Sequence, residues 1–186
     1  MSTIFRRLCY LAMLCGSPAM LCAGTVSAQG NADTDPATPV TAQTFASRAA
    51  TMSQAEIEFG QLARKNGQDE SVKTYGQRMI KDHTAADAKL KAIAAKENLT
   101  LPTNLDAEHR TAKAKLASLH GEAFDAAYRA EMAKGHDRAV ALFASASQAT
   151  TLPSDLRQFA ASTLPTLQEH QKLAHSLGED HQNTQP

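Results

Sequence analysis

The sequence predicts an all-α fold, a bundle of four long helices, on three observations. From about residue 41 to residue 177 the apolar residues recur at steps of three and four, and almost nowhere alternate with period two. With six Phe, three Tyr and no Trp, the core must be built largely from Ala, Leu, Met and Phe, a helical palette. Nine Gly and seven Pro in 186 residues are too few for a collagen-like or wholly disordered chain.

Residues 1–28 read as an export signal. Arg6 and Arg7 supply a positive start, Leu8 to Cys15 an apolar run, and Gly16-Ser17-Pro18 interrupts it. Val26-Ser27-Ala28 then offers small residues at a cleavage site, predicted after Ala28. The alternative is an uncleaved anchor, since Leu8 to Val26 approaches the ~20 apolar residues a bilayer requires. The Gly-Ser-Pro break and the small-residue exit favour cleavage and delivery to the periplasm. Lipidation is disfavoured because Cys9, Cys15 and Cys22 each follow a Leu rather than a small residue.

Removing 28 of 186 residues leaves 158, and takes Lys+Arg from 19 to 17 against 19 Asp+Glu, a net charge near −2. The mature chain then has no cysteine, which excludes disulfides, thiolate metal sites and cysteine nucleophiles. A nearly neutral chain has no field with which to bind nucleic acid. After the leader no run is apolar enough to span a membrane. Peripheral association with the envelope and the oligomeric state are left open by the sequence.

Residues 29–40 are polar, proline-containing and aperiodic, a disordered linker, and residues 179–186 form a tail of the same kind. The bundle is expected over 41–178. Its first helix is placed at about Thr41 to Lys65, ended by Asn66-Gly67, with Phe45, Ala49, Met52, Glu56, Phe59 and Ala63 facing inward. The second runs from about Asp69 to Glu97 and turns Val72, Tyr75, Met79, His83, Ala86, Leu90 and Ile93 to the core. After Pro102 a short helix near Asn104 to Leu119 is expected, with His120-Gly121 separating it from a main helix to Ala149. That helix carries Phe124, Tyr128, Met132, His136, Ala139, Phe143 and Ala146 on one stripe. The last helix, after Leu152-Pro153, presents Leu156, Phe159, Thr163, Leu167, His170, Ala174 and Leu177, with a kink or restart at Pro165.

Short turns join the first two and the last two helices, whereas the middle connection is long enough to cross the bundle. That gives an up, down, down, up order, the ferritin-like topology, with the extra short helix in the crossover.

What interrupts the apolar stripes is the candidate site. Each main helix puts one ionisable residue on its own core face: Glu56, His83, His136 and His170. Buried alone, such groups cost several kcal/mol or shift their pKa, so they must meet one another, a ligand or water. Counted from the turns, Glu56 and His83 differ in depth by ~7 Å and His136 and His170 by ~3 Å. Three histidines and a carboxylate could hold one zinc, copper, iron or nickel ion.

Asp82, beside His83, and Asp125 are secondary metal candidates, although Asp125, with Glu131, Asp137 and Glu169, also reads as a surface charge. Tyr75 and Tyr128, with Met79 and Met132, complete a pattern Y-x-x-x-M-x-K-x-H-x-x-A that occurs twice, 53 residues apart. His109, His120, His175 and His181 fall off the stripes and are expected in solvent.

A-E-I-E-F-G-Q-L-A at Ala55 to Ala63, V-K-T-Y-G-Q-R-M-I-K-D-H at Val72 to His83, F-D-A-A-Y at Phe124 to Tyr128 and L-P-T-L-Q-E-H at Leu164 to His170 resemble a bacterial domain-of-unknown-function family of ferritin-like exported proteins. Its members are usually labelled outer-membrane or membrane proteins. The resemblance spans about Phe45 to Leu177 and implies an exported ferritin-like bundle in which Glu56, His83, Asp125, His136 and His170 occupy recurring polar positions. It implies no established activity.

Di-iron sites of the ferritin type need Glu-x-x-His pairs. Here Ile80, Ala133 and Leu167 stand three residues before the histidines, so a mononuclear site is the metal reading. The leading expectation is a non-enzymatic envelope or stress-related binding protein whose core polar groups are hydrogen-bonded together. The alternative is a metal-binding protein using Glu56, His83, His136 and His170. A haem carrier is weaker, for want of C-x-x-C-H. An enzyme is disfavoured, for want of G-x-S-x-G, H-E-x-x-H or a mature cysteine.

Overall fold

The structure, a computed structural model, describes residues 40–177. The expected leader, all but the last residue of the linker, and the tail with His181 lie outside the described residues. Within the described residues five helices follow in order: α1 (Ala42–Asn66), α2 (Glu70–Lys96), α3 (Ala107–Ala117), α4 (Gly121–Gln148) and α5 (Ser154–Ser176). Among the described residues no helix is long and apolar enough to cross a membrane.

Local chemistry sets the helix ends. Thr41 and Thr44 close a reciprocal capping box on α1, and the Asp69 and Asp106 side chains accept backbone N–H groups at the starts of α2 and α3. α2 stops where Asn98 turns left-handed (φ 55°) and the Leu99 N–H reaches back to the Ala94 carbonyl. Gly121, at φ 59°, makes the break between α3 and α4 that the sequence predicts, in a left-handed conformation that glycine adopts at no steric cost.

Side-chain pairings fix the topology. Ser53 of α1 meets His83 of α2, Phe45 of α1 stacks edge-on with Phe143 of α4, and Lys96 of α2 pairs with Asp155 of α5. Each neighbouring pair is therefore antiparallel, and α1, α2, α4 and α5 run up, down, down, up, with α3 in the long crossover packed on α1 and α4.

α1 and α2 approach each other closely at Gly60 and Gly76. A Cβ on Gly60 would lie 2.6 Å from the Gly76 carbonyl oxygen, and one on Gly76 would lie 2.7 Å from the Ala63 Cβ.

Of the kink or restart expected at Pro165, the restart is not found: α5 is continuous through it. Pro165 sits on the exposed face of the helix, where water can serve the carbonyl it deprives of a donor.

The core forms two apolar layers. One holds Phe45, Leu90, Phe143, Leu156 and Phe159; the other holds Phe59, Val72, Met79, Phe124, Tyr128 and Met132. His83, His136 and His170 lie between them in sequence on their helices, as a polar stratum at mid-bundle.

Candidate metal centre

Helical spacing alone brings His83, His136 and His170 onto the inward faces of α2, α4 and α5, where they are 6%, 1% and 1% exposed. Their ring centroids are 5.4–5.9 Å apart. One ring nitrogen from each lies within 4.8 Å of those of the other two.

Each ring uses its two nitrogens differently. His136 Nδ1–H donates to the Met132 carbonyl one turn back, at 2.9 Å. His170 Nε2 stands 2.9 Å from Asp82 Oδ2, and since an ionised carboxylate only accepts, this nitrogen carries the proton. His83 Nδ1 faces the Ser53 hydroxyl at 3.4 Å. The remaining atoms, His83 Nε2, His136 Nε2 and His170 Nδ1, are buried and have no hydrogen-bond partner. Buried, unpaired ring nitrogens on three clustered histidines, each with its other nitrogen beside a polar partner, are what metal-bound imidazoles require.

Burial holds all three histidines neutral. It pushes His83 well below its usual value, with the neighbouring His136 and His170 adding to the effect. His136 falls to about 4, burial outweighing the Met132 hydrogen bond. His170 is lowered too, again by burial first, although Asp82 works in the other direction. Neutral imidazoles have no proton to lose before binding a cation.

Tyr75 and Arg78 frame the cluster. The Tyr75 hydroxyl donates to the His170 carbonyl at 3.0 Å, and its ring packs edge-on against both His136 and His170. Arg78 reaches Asp82 at 3.3 Å and Glu169 at 2.9 Å, clamping α2 to α5 beside the site. Ser53 and Tyr75 were legible only as a small polar residue and a core aromatic, and their roles depend on helix rotation that no spacing rule supplies.

Of the six residues the sequence nominates, the structure brings three together. Glu56 is buried but is not one of the three residues whose ligand atoms come together; its Oε1 is 3.9 Å from His136 Nδ1, the nitrogen given to Met132. It lies against Gly135, where a Cβ would sit 3.1 Å from Oε1. Burial, with Glu131 nearby, raises its pKa to about 8, so it is a neutral acid at pH 7. Asp82 orients His170 from outside the cluster.

Asp125 is neither near the cluster nor a surface charge. It is 2% exposed, and its carboxylate accepts the Gln68 and Asp69 backbone N–H groups, tying α4 to the α1–α2 turn. His109, expected in solvent, is half-buried, held by Asp106 at 2.8 Å and tilted against Phe59. It is drawn in because α3 packs on α1. His120 and His175 are exposed as expected.

Fold and site together define a ferritin-like four-helix bundle with a buried triad of histidines at its centre. Residues 27–177 match the DUF4142 domain of unknown function, and the chain belongs to that family. Among solved structures, the candidate secreted protein DUF305 from Streptomyces coelicolor is similar, with a TM-score of 0.63 at 14% identity over 75% of this chain and 93% of that one. At that identity the likeness concerns the fold. No protein of curated function matches the chain.

Proposed function

We propose that this is an exported protein that binds one transition-metal ion through His83 Nε2, His136 Nε2 and His170 Nδ1. The observation that carries the reading is the trio of buried, unpaired nitrogens from three helices. A purely structural hydrogen-bonded cluster would pair these atoms, because each one left alone costs about 1–3 kcal/mol. Tetrahedral bonds of ~2.0–2.1 Å require ligand nitrogens ~3.4 Å apart, so the widest pair must close by about 1.4 Å. Glu56 is not among the ligands in this reading. Export rests on the Arg6-Arg7 leader and the small-residue exit at Ala28, and sequencing the N-terminus of the secreted chain tests it.

The binding test uses the untagged 29–186 chain. One zinc or cobalt ion per chain is expected, with a melting temperature raised by roughly 5–10 °C at a hundredfold excess over Kd. His83→Ala, His136→Ala and His170→Ala should each lose stoichiometric binding. A wild type without bound metal, or a His170→Ala chain that binds as well as wild type, sinks the reading.

A further inference from the structure

His83 Nε2, His136 Nε2 and His170 Nδ1 are each buried beyond the reach of water. Solvent therefore adds no ligand to an ion held among them unless the helices part. A cavity of about 30 Å³ does lie beside the cluster, but it borders the other nitrogens of the rings. Its lining includes Ser53 and Asp82, the partners of His83 Nδ1 and His170 Nε2, and leaves out His136. A water needs ~10–15 Å³ and would fit there, on the wrong side of the rings to reach the unpaired nitrogens. Protein groups add no fourth ligand either. Among the described residues the atoms close enough to share an ion belong to His83, His136 and His170, with no carboxylate in the group. The neighbouring positions on the same helix faces are apolar and polarisable: Met79 and Met132, fully buried, stand one turn before His83 and His136, and buried Leu167 stands three residues before His170.

Coordination number and charge then select the ion. Three imidazoles cancel none of its charge, and the cost of taking an ion out of water grows as the square of that charge, so a dication costs about four times what a monocation does. Zinc is almost always four-coordinate and keeps a water where the protein offers three ligands. Copper(I) carries a single charge, accepts imidazole, favours soft surroundings, and with a filled d shell is satisfied by three ligands in a plane. We infer that the triad is a three-coordinate copper(I) site, closed to a fourth ligand. The inference rests on the metal reading above and names its ion. Zinc and cobalt enter the same site only by drawing a water in among buried side chains, and so bind more weakly than copper(I).

The test loads the untagged 29–186 chain with copper(I), without oxygen and under reductant, against a chromophoric copper(I) chelator of known affinity. One copper(I) per chain is expected, bound roughly a hundredfold or more tighter than zinc and displacing it from the zinc-loaded chain. The X-ray absorption spectrum of the copper(I) form should show three nitrogen neighbours at ~2 Å and no fourth ligand. A chain that binds zinc or cobalt stoichiometrically but holds copper(I) no tighter overturns this inference and leaves the metal reading standing. A water oxygen or a methionine sulfur in the copper shell overturns it as well. A chain that takes up none of these ions overturns both. His83→Gln and His136→Gln should each lower copper(I) affinity by roughly tenfold or more while the far-UV circular dichroism stays that of wild type. Copper(I) held undiminished by both folded variants lies outside the triad and overturns the inference; should either variant unfold, the wild-type absorption spectrum decides.

Discussion

His170 Nε2 lies 2.9 Å from Asp82 Oδ2, a hydrogen bond from α5 to α2. It fixes the tautomer that leaves Nδ1 as a lone-pair donor. Burial alone would raise the Asp82 pKa, but the bond to His170 and the nearby Arg78 outweigh it and the carboxyl titrates below its usual value. Asp82→Ala should therefore weaken metal binding about 10- to 100-fold without removing a ligand. Competition with a chelator of known affinity measures it, and an unchanged Kd would separate Asp82 from the site.

Acid should unfold the metal-free protein through its histidines. His136 titrates at about 4 in the fold against about 6.5 when unfolded. Between those values the unfolded chain binds a proton that the native chain refuses. Stability is therefore complete above about pH 6.5 and falls as pH drops toward 4, by about 3 kcal/mol for this residue. Urea denaturation of wild type and His136→Gln from pH 4 to 7 checks this, since the variant should show a shallower slope.

Glu56 should produce the opposite slope. Its pKa is raised to about 8, against 4.5 for a glutamate in water, so the native state holds a proton that the unfolded state releases between those values. Its contribution is fully favourable below about pH 4.5 and is lost as pH rises through 8. Glu56→Gln keeps the shape and hydrogen-bonding capacity without the titration. The variant should match wild type near pH 4.5 and become the more stable of the two by pH 8, by about 4 kcal/mol in a denaturant series. A constant difference across that range would mean the carboxyl does not titrate in the fold.

The fold was legible because steps of three and four expose every helix, and because Asn66-Gly67, Pro102, Gly121 and Pro153 punctuate them where the chain does turn. The three histidines were legible for the same reason, being the ionisable residues on stripes otherwise apolar. Glu56 shows the limit of that logic: a stripe fixes which face a residue is on to within tens of degrees, whereas ligation requires an atom placed within a few tenths of an ångström. Depth counting put Glu56 and His83 about one turn apart, and the Glu56 carboxylate comes to 3.9 Å from His136 Nδ1 rather than joining the three residues whose ligand atoms come together. Asp125 escaped because its role depends on the α1–α2 turn folding under α4, a contact 56 and 57 residues away in sequence. Pro165 does not restart α5, since propensity takes no account of which face of a helix meets water and this residue lies on the exposed one.

The close approach of α1 and α2 sets the position of His83 and can be probed without touching the site. Gly60 and Gly76 face one another at that crossing, and a methyl group on Gly76 would come to 2.7 Å from the Ala63 Cβ and 3.0 Å from the Gly60 carbonyl oxygen. Neither neighbour is the end of a flexible side chain, so the helices themselves must part. Glycine-to-alanine in a helix ordinarily stabilises by ~1 kcal/mol through propensity. Here overpacking opposes it at ~1–3 kcal/mol, and the steric cost should win. Gly76→Ala should thus lower the denaturation midpoint of the metal-free chain. Because His83 lies two turns further along α2, it should also weaken metal binding, with Gln77→Ala on the exposed face of the same turn as the control that leaves both unchanged. A Gly76→Ala chain as stable as wild type would show that α1 and α2 are not held this close in solution.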